Sequence, residues 1–187
     1  MSTQQKPGQP GSGNATPIPG DDPARQMVVA DPESSSVTHI SLAGGTYTML
    51  VTGKQTNGAY CLIDMHVPAD GGPPLHRHNF EEMFTIVEGS VDFFFRDTTT
   101  TVSAGSTINI PANAPHHFRN KSGKAVRMLC VCAPAGQDEY FMRCGDPVDS
   151  RTAPPPQLSK DDIAQRQQRA KDLAPLYATE LLPPDGN

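Results

Sequence analysis

The stretch "GGPPLHRHNFEEMFTIVEGS", residues 71–90, decides how the chain is read. It sets two of the six histidines one residue apart, follows them with paired glutamates and runs into an apolar segment that stops at glycine. In an extended backbone successive side chains point to opposite sides, so His76 and His78 share a face. Glu82 lies at an even offset from them, at the start of the next strand-like run, where it can face the same way. Two imidazoles and a carboxylate so spaced make a partial coordination shell for one metal ion. Glu81, at an odd offset, is expected to point away as a solvated neighbour.

A fourth donor is available in "GSTINIPANAPHHFRN", residues 105–120. A strand, a stop at Pro111, a turn through Asn113 and Pro115, and His116 opening another strand describe a hairpin that can return a histidine to the first pair. Asn113 suits the corner because asparagine tolerates a left-handed backbone. His117 should face the opposite side from His116, and Asn120 is expected to tie down the following turn. His39 and His66 are read as outward or loop residues with no companion.

Outward from these segments the punctuation is that of an all-β domain. Short runs rich in Val, Ile, Thr and Phe, separated by Gly, Asn, Pro and Asp, predict strands near 37–42, 46–51, 59–67, 82–87, 91–96, 98–102, 106–110, 116–120 and 125–132. No helix is expected between them, which points to a sandwich or barrel. Alternation puts Cys61, Ile63, Met65 and Val67 inward with Val126, Met128, Cys130 and Cys132, and puts Tyr60, Asp64, His66 and Arg127 outward. Phe93 and Phe95 read as core, and Phe94 as part of a second layer or a subunit interface.

At 187 residues, 36% of them hydrophobic, the chain has material for one substantial core. Residues 1–26, made of Pro, Gly, Gln, Ser and Asn, cannot repay their ordering entropy and are expected to be a disordered tail. Residues 27–145 form the predicted barrel, and 146–187 a proline-rich linker and helical tail. In that tail "SKDDIAQRQQRAKDLA" offers Ser159 as N-cap with Asp162 three residues on, and only a thin apolar stripe of Leu158, Ile163, Ala170 and Leu173. It reads as a helix docked on a surface or a partner.

The net charge of −5 is spread without a basic block, which argues against nucleic acid or an anionic membrane as partner. No signal-peptide pattern or spanning apolar run is present, so a cytoplasmic protein is expected. Cys61, Cys130, Cys132 and Cys144 lack CxxC spacing and read as reduced, mostly core thiols.

The two histidine-bearing stretches resemble the paired motifs of the cupin superfamily, G-x5-HxH-x(3,4)-E-x6-G and G-x5-PxG-x2-H-x3-N. His76, His78, Glu82 and Gly89 fit the first from its HxH onward, and Gly105, Pro111, His116 and Asn120 fit the second. The first motif's leading glycine is displaced, since Asp70 holds that position beside Gly71 and Gly72, and Asn113 replaces the second motif's inner glycine. The resemblance implies a single jelly-roll β-barrel with His76, His78, Glu82 and His116 as metal ligands.

Such a site suits one divalent transition metal: iron, manganese, nickel, cobalt, copper or zinc. Met65, Phe84, Ile86, Phe118 and Met128 are candidates to line a substrate pocket beside it, and Glu82 is also the candidate catalytic base, a role that needs its pKa near the working pH. The organisation, with its C-terminal helix and "YATELLPP" segment, resembles quercetin 2,3-dioxygenase-like cupins. That implies a metal-dependent dioxygenase acting on an enolisable or hydroxylated aromatic small molecule, in a chain that forms homodimers. A redox-neutral isomerase, decarboxylase or lyase, or a non-catalytic small-ligand binder, are the alternatives.

Overall fold

The computed structural model describes residues 17–183. Residues 1–16 of the expected tail lie outside the described residues, and 17–26 carry neither helix nor strand.

The strands are β1 (Thr38–Leu42), β2 (Gly45–Val51), β3 (Cys61–Val67), β4 (His76–His78), β5 (Glu81–Glu88), β6 (Ser90–Phe95), β7 (Thr98–Ser103), β8 (Thr107–Ile110), β9 (His116–Arg119), β10 (Val126–Ala133), β11 (Asp146–Pro147) and β12 (Thr179–Leu181). They form two antiparallel sheets, one ordered β11-β1-β2-β3-β10-β5-β8 and the other β12-β4-β9-β6-β7. This is the all-β jelly roll expected from the strand pattern.

The inward sets of β3 and β10 are buried throughout and stand side by side, Cys61 opposite Cys132, Ile63 opposite Cys130, Met65 opposite Met128 and Val67 opposite Val126. Across the barrel Phe84 of β5 meets Phe93 of β6 and Phe118 of β9, with ring centroids 5.1 to 5.8 Å apart. These tilted contacts are the favoured aromatic geometry, so the alternation of each strand is cashed as a shared core.

The outer face of the larger sheet departs from expectation. Asp64 does point outward, yet it is fully buried and held by the Arg127 guanidinium through contacts of 2.6 to 3.2 Å. His39 is also buried, its Nδ1 2.7 Å from the Thr48 hydroxyl. The cause is the segment after the barrel: Thr46 donates to the carbonyl of Ala153, and β11 adds to β1, so chain predicted as a free linker covers these residues. On the smaller sheet Phe94 is half-buried and stacks on His117 at 4.3 Å, on the face opposite His116.

Two α-helices, with 3-10 turns at Gly53–Thr56 and Ala174–Tyr177, complete the described chain. α1 (Gln137–Cys144) was not expected: it is short, and its N-cap Gly136 supplies no side-chain cap. α2 (Lys160–Leu173) matches the sequence reading, with Ser159 and Asp162 forming a reciprocal capping box. α2 buries no residue fully. It is held through polar groups: the Tyr140 hydroxyl donates to the carbonyl of Ala170, Arg169 donates to that of Cys144, and Arg166 pairs with Asp146. The chain then returns as β12 beside β4, Thr179 opposite His78 and Leu181 opposite His76, so the C-terminal segment forms the edge next to the HxH strand. No helix among the described residues is long and apolar enough to cross a membrane.

Candidate metal centre

β4 places His76 and His78 on one inward face, separated by the exposed Arg77. β9 places His116 directly opposite His76, and β5 brings in Glu82. All four side chains are buried, and one donor atom from each lies within 4.8 Å of the others. The fit of the sequence motifs depends on the turn between β8 and β9, where Asn113 adopts φ +67° and donates its N–H to the carbonyl of His78 at 2.6 Å. That bond ties the second hairpin to the first. Asn120 closes the other end: its amide donates to the carbonyls of Val67 and Lys124 and accepts from Ser122.

The displaced glycine of the first motif also has a physical reason. At Gly72 (φ +147°) an added Cβ would stand 2.1 Å from the carbonyl oxygen of Phe118, so the close approach of this loop to β9 requires glycine there.

The imidazoles are oriented by their own backbone. The Nδ1 atoms of His76, His78 and His116 lie 2.9 Å from the carbonyls of Pro74, Phe80 and Ala114 respectively. A carbonyl can only accept, so each Nδ1 carries a proton, and whenever the ring is neutral its Nε2 presents a lone pair. The Nε2 atoms of His78 and His116 lie 3.1 and 3.0 Å from the same Glu82 Oε2. With both rings neutral, two lone pairs facing a carboxylate oxygen repel unless a proton on Nε2 or a metal cation stands between them. Donors bound at right angles about 2.1 Å from a common metal are about 3.0 Å apart, which is the separation found. The donor set therefore fits a divalent metal, with the carbonyls as the partners that fix ligand orientation.

Charge responds accordingly. Burial and the neighbouring His116 push His76 down to about 4. Burial also pulls His116 down, but its bond to Glu82 outweighs this and raises it. Burial pushes Glu82 up, yet the His116 and His78 contacts hold it well below the ordinary carboxylate range. That direction is opposite to the one a base poised near neutrality needs. Behind Glu82, its Oε1 lies 3.3 Å from the Cys130 thiol and 3.8 Å from that of Cys132. All four cysteines are free and buried.

A cavity of about 100 Å³ opens beside His76 and Glu82. Of the expected lining residues, Met65, Phe84 and Phe118 do form its wall. Ile86 and Met128 do not: they are paired with each other two residues further along β5 and β10, inside the packed barrel. Glu81 faces out, as its odd offset requires, and accepts from Asn109 and from the N–H of Ala112, bracing the turn after β8. The sequence reading missed the roof. Gln137, Tyr140 and Phe141 come from α1, Ala170 from α2 and Leu181 from β12, while Tyr47 rises from the floor. Tyr47 alone carried a signal, since it alternates with the inward Met49.

Comparison with known proteins agrees with this picture. The family model described as "Cupin domain" matches residues 63–132, which span β3 to β10 and include all four candidate ligands. Auxin-binding protein 1 of Arabidopsis thaliana is 30% identical over 67 residues, covering 31% of this chain, and the chain spans about a third (34%) of the length of that curated relative. The polyketide cyclase RemF from Streptomyces resistomycificus superposes with a TM-score of 0.52 at 22% identity, covering 76% of this chain and 94% of that one. An RmlC-like cupin from Shewanella frigidimarina gives 0.49 at 15% identity over 55% of this chain and 88% of that one. Family match, paired motifs and sheet topology together support the cupin superfamily: residues 63–132 match the cupin-domain model, within a chain that folds as a cupin jelly roll.

Proposed function

We propose that this chain is a metal-dependent cupin enzyme acting on a small enolisable or hydroxylated molecule, with oxygen-dependent cleavage as the leading reaction. The observation that carries this reading is that His76 and Glu82 belong both to the donor set and to the cavity wall, so a metal held there faces the cavity rather than a sealed core. A divalent metal at this point supplies Lewis acidity toward a bound oxygen atom and stabilises an enolate. The protein's part is to fix three imidazoles through backbone carbonyls, to exclude water with Phe84, Phe118 and Met65, and to keep Glu82 ionised as a ligand. The same low pKa makes Glu82 a ligand first; serving as base requires it to leave its two histidines.

The resemblance to quercetin 2,3-dioxygenase-like cupins supports the dioxygenase direction, but the cavity bounds the substrate. An apolar cavity of about 150 Å³ holds a molecule the size of benzene. At about 100 Å³ this one suits a short diketone or a single small ring and is too small for a flavonol in this arrangement. A second reading, a binder without turnover, is favoured by the match to a curated auxin-binding protein.

Metal analysis of the purified chain followed by oxygen uptake with pentane-2,4-dione tests both. Metal bound by the chain and oxygen consumption lost in His116→Ala support the dioxygenase. Product without oxygen uptake supports a redox-neutral isomerase, decarboxylase or lyase, and saturable binding without product supports the binder. Purified chain that holds no divalent metal and takes none up refutes the metal-enzyme reading. We also propose a homodimer through the outer face of β5 and β10, where Met83 and Val87 stand exposed beside Leu129 and Val131; light scattering of the purified chain tests it.

A further inference from the structure

The cavity holds two polar groups that the fold leaves unused. Gln137 is 2% exposed, lines the cavity, and its Oε1 has no hydrogen-bond partner among the described residues. Tyr47 is equally buried, and its hydroxyl makes no hydrogen bond there either; the ring instead packs on Phe141 at 5.2 Å. A buried amide or hydroxyl without a partner costs free energy that a fold normally avoids. The buried, unpartnered Gln137 oxygen on the wall of an apolar cavity, with the Tyr47 hydroxyl on the same wall, implies a partner that arrives with the ligand. No Lys or Arg lines this cavity, so nothing in its wall away from the donor set compensates an anion.

We infer that the Gln137 carboxamide and the Tyr47 hydroxyl are the specificity pair of this cavity, recognising a neutral small molecule that carries a hydrogen-bond donor next to an acceptor, as in an enol beside a carbonyl or a lactam. Gln137 accepts from the ligand's O–H or N–H and can donate to its adjacent oxygen, while Tyr47 donates. Burial pushes the Tyr47 pKa up and keeps the hydroxyl protonated for that task. The inference rests on the reading of this cavity as the ligand site. Both residues would contact the ligand directly, and neither belongs to the metal donor set.

The test compares 2-pyrrolidinone, which has donor and acceptor, with cyclopentanone, which has the acceptor only and nearly the same shape. Dissociation constants come from NMR titration of the protein as purified, with its metal content measured on the same sample. A site that hydrogen-bonds a donor rejects the analogue lacking it, so wild type should prefer the lactam by about tenfold or more. Gln137→Met should bring the two within about threefold while leaving metal content unchanged. It should melt at the same temperature or higher, because the apolar replacement removes an unpaired acceptor. Tyr47→Phe should weaken both probes by about the same factor, since both carry the acceptor that its hydroxyl serves.

Equal binding of both probes by wild type overturns the inference, as does an undiminished preference in Gln137→Met. A Gln137→Met chain that fails to fold overturns it too, since the amide would then be structural. Lactam preference in a protein that binds no metal keeps this inference and removes the enzymatic one; metal with no preference does the reverse.

Discussion

Replacing Glu82 by glutamine separates a metal site from a buried ion cluster. In the wild type one carboxylate oxygen faces the Nε2 atoms of His78 and His116 at 3.1 and 3.0 Å, and the other accepts from Cys130 at 3.3 Å. Glutamine has the same shape but presents an NH₂ with two hydrogens to the two Nε2 lone pairs, and keeps an oxygen for the thiol. In the chelated protein with neutral imidazoles, two unfavourable lone-pair contacts become two hydrogen bonds. At about 1 kcal/mol for each neutral bond, chelated Glu82→Gln should be more stable than chelated wild type by about 2 kcal/mol. For a chain of this size that is about 4–8 °C in Tm.

The sign depends on pH. The His116 pKa is raised because its bond to Glu82 outweighs burial. The resulting imidazolium–carboxylate pair therefore stabilises chelated wild type below the ordinary histidine value of 6.5, and is lost as pH rises through the raised folded-state value. The advantage of Glu82→Gln should thus be full in alkaline buffer and shrink or reverse at pH near 6. Metal should reverse the order: added at about a hundredfold over its Kd it stabilises wild type by about 2.7 kcal/mol and should leave the variant unmoved. Calorimetry of both proteins, chelated and metal-loaded, at two pH values reads all four terms. If chelated Glu82→Gln melts below wild type in alkaline buffer, the carboxylate is structural and the donor-set argument fails.

Arg127→Met leaves the fully buried Asp64 carboxylate without its fork, and should cost about 3 kcal/mol by urea denaturation; adding Asp64→Leu should recover most of that loss. Gly72→Ala drives a methyl into the Phe118 carbonyl at a backbone angle that L-residues avoid, so its melting midpoint should fall by more than that of any single cap or surface change. Ser159→Ala removes the acceptor of the Asp162 N–H and should cost about 1 kcal/mol by urea denaturation, with no change in metal content.

What could be read from the sequence follows from how many residues carry each signal. β3 and β10 are seven and eight residues of sustained alternation, and the inward faces that this pattern predicts are the buried ones. β4 is three residues long, too short for a period; only the even spacing of its two histidines exposed it. α1 has eight residues and no side-chain cap, and β12 is a three-residue strand whose partner lies about a hundred positions earlier. Most of the cavity roof comes from these two elements, so Gln137 and Leu181 carried no readable signal. The burial of Asp64 and His39 was equally hidden, because it depends on where residues 146–153 lie, and an extended proline-bordered segment has no pattern that names its resting place.

The prolines have a second consequence beyond stopping strands. Each ligand imidazole is held by a carbonyl two residues away, and two of those carbonyls sit in proline-bearing turns: Pro74 supplies the one for His76, and Ala114, immediately before Pro115, the one for His116. A residue before proline is confined to extended backbone, so Pro115 limits where the Ala114 carbonyl can point before any metal or ligand arrives. Pro74 has its own φ fixed by its ring. Two of the three ring orientations are thereby set by backbone that has little conformational freedom left to lose. The third, His78, is instead clamped by stacking on Phe80 at 3.8 Å as well as by the Phe80 carbonyl. A donor set built this way loses its conformational freedom during folding rather than on metal capture, which lowers the entropic cost of bringing donors from two distant hairpins to one ion.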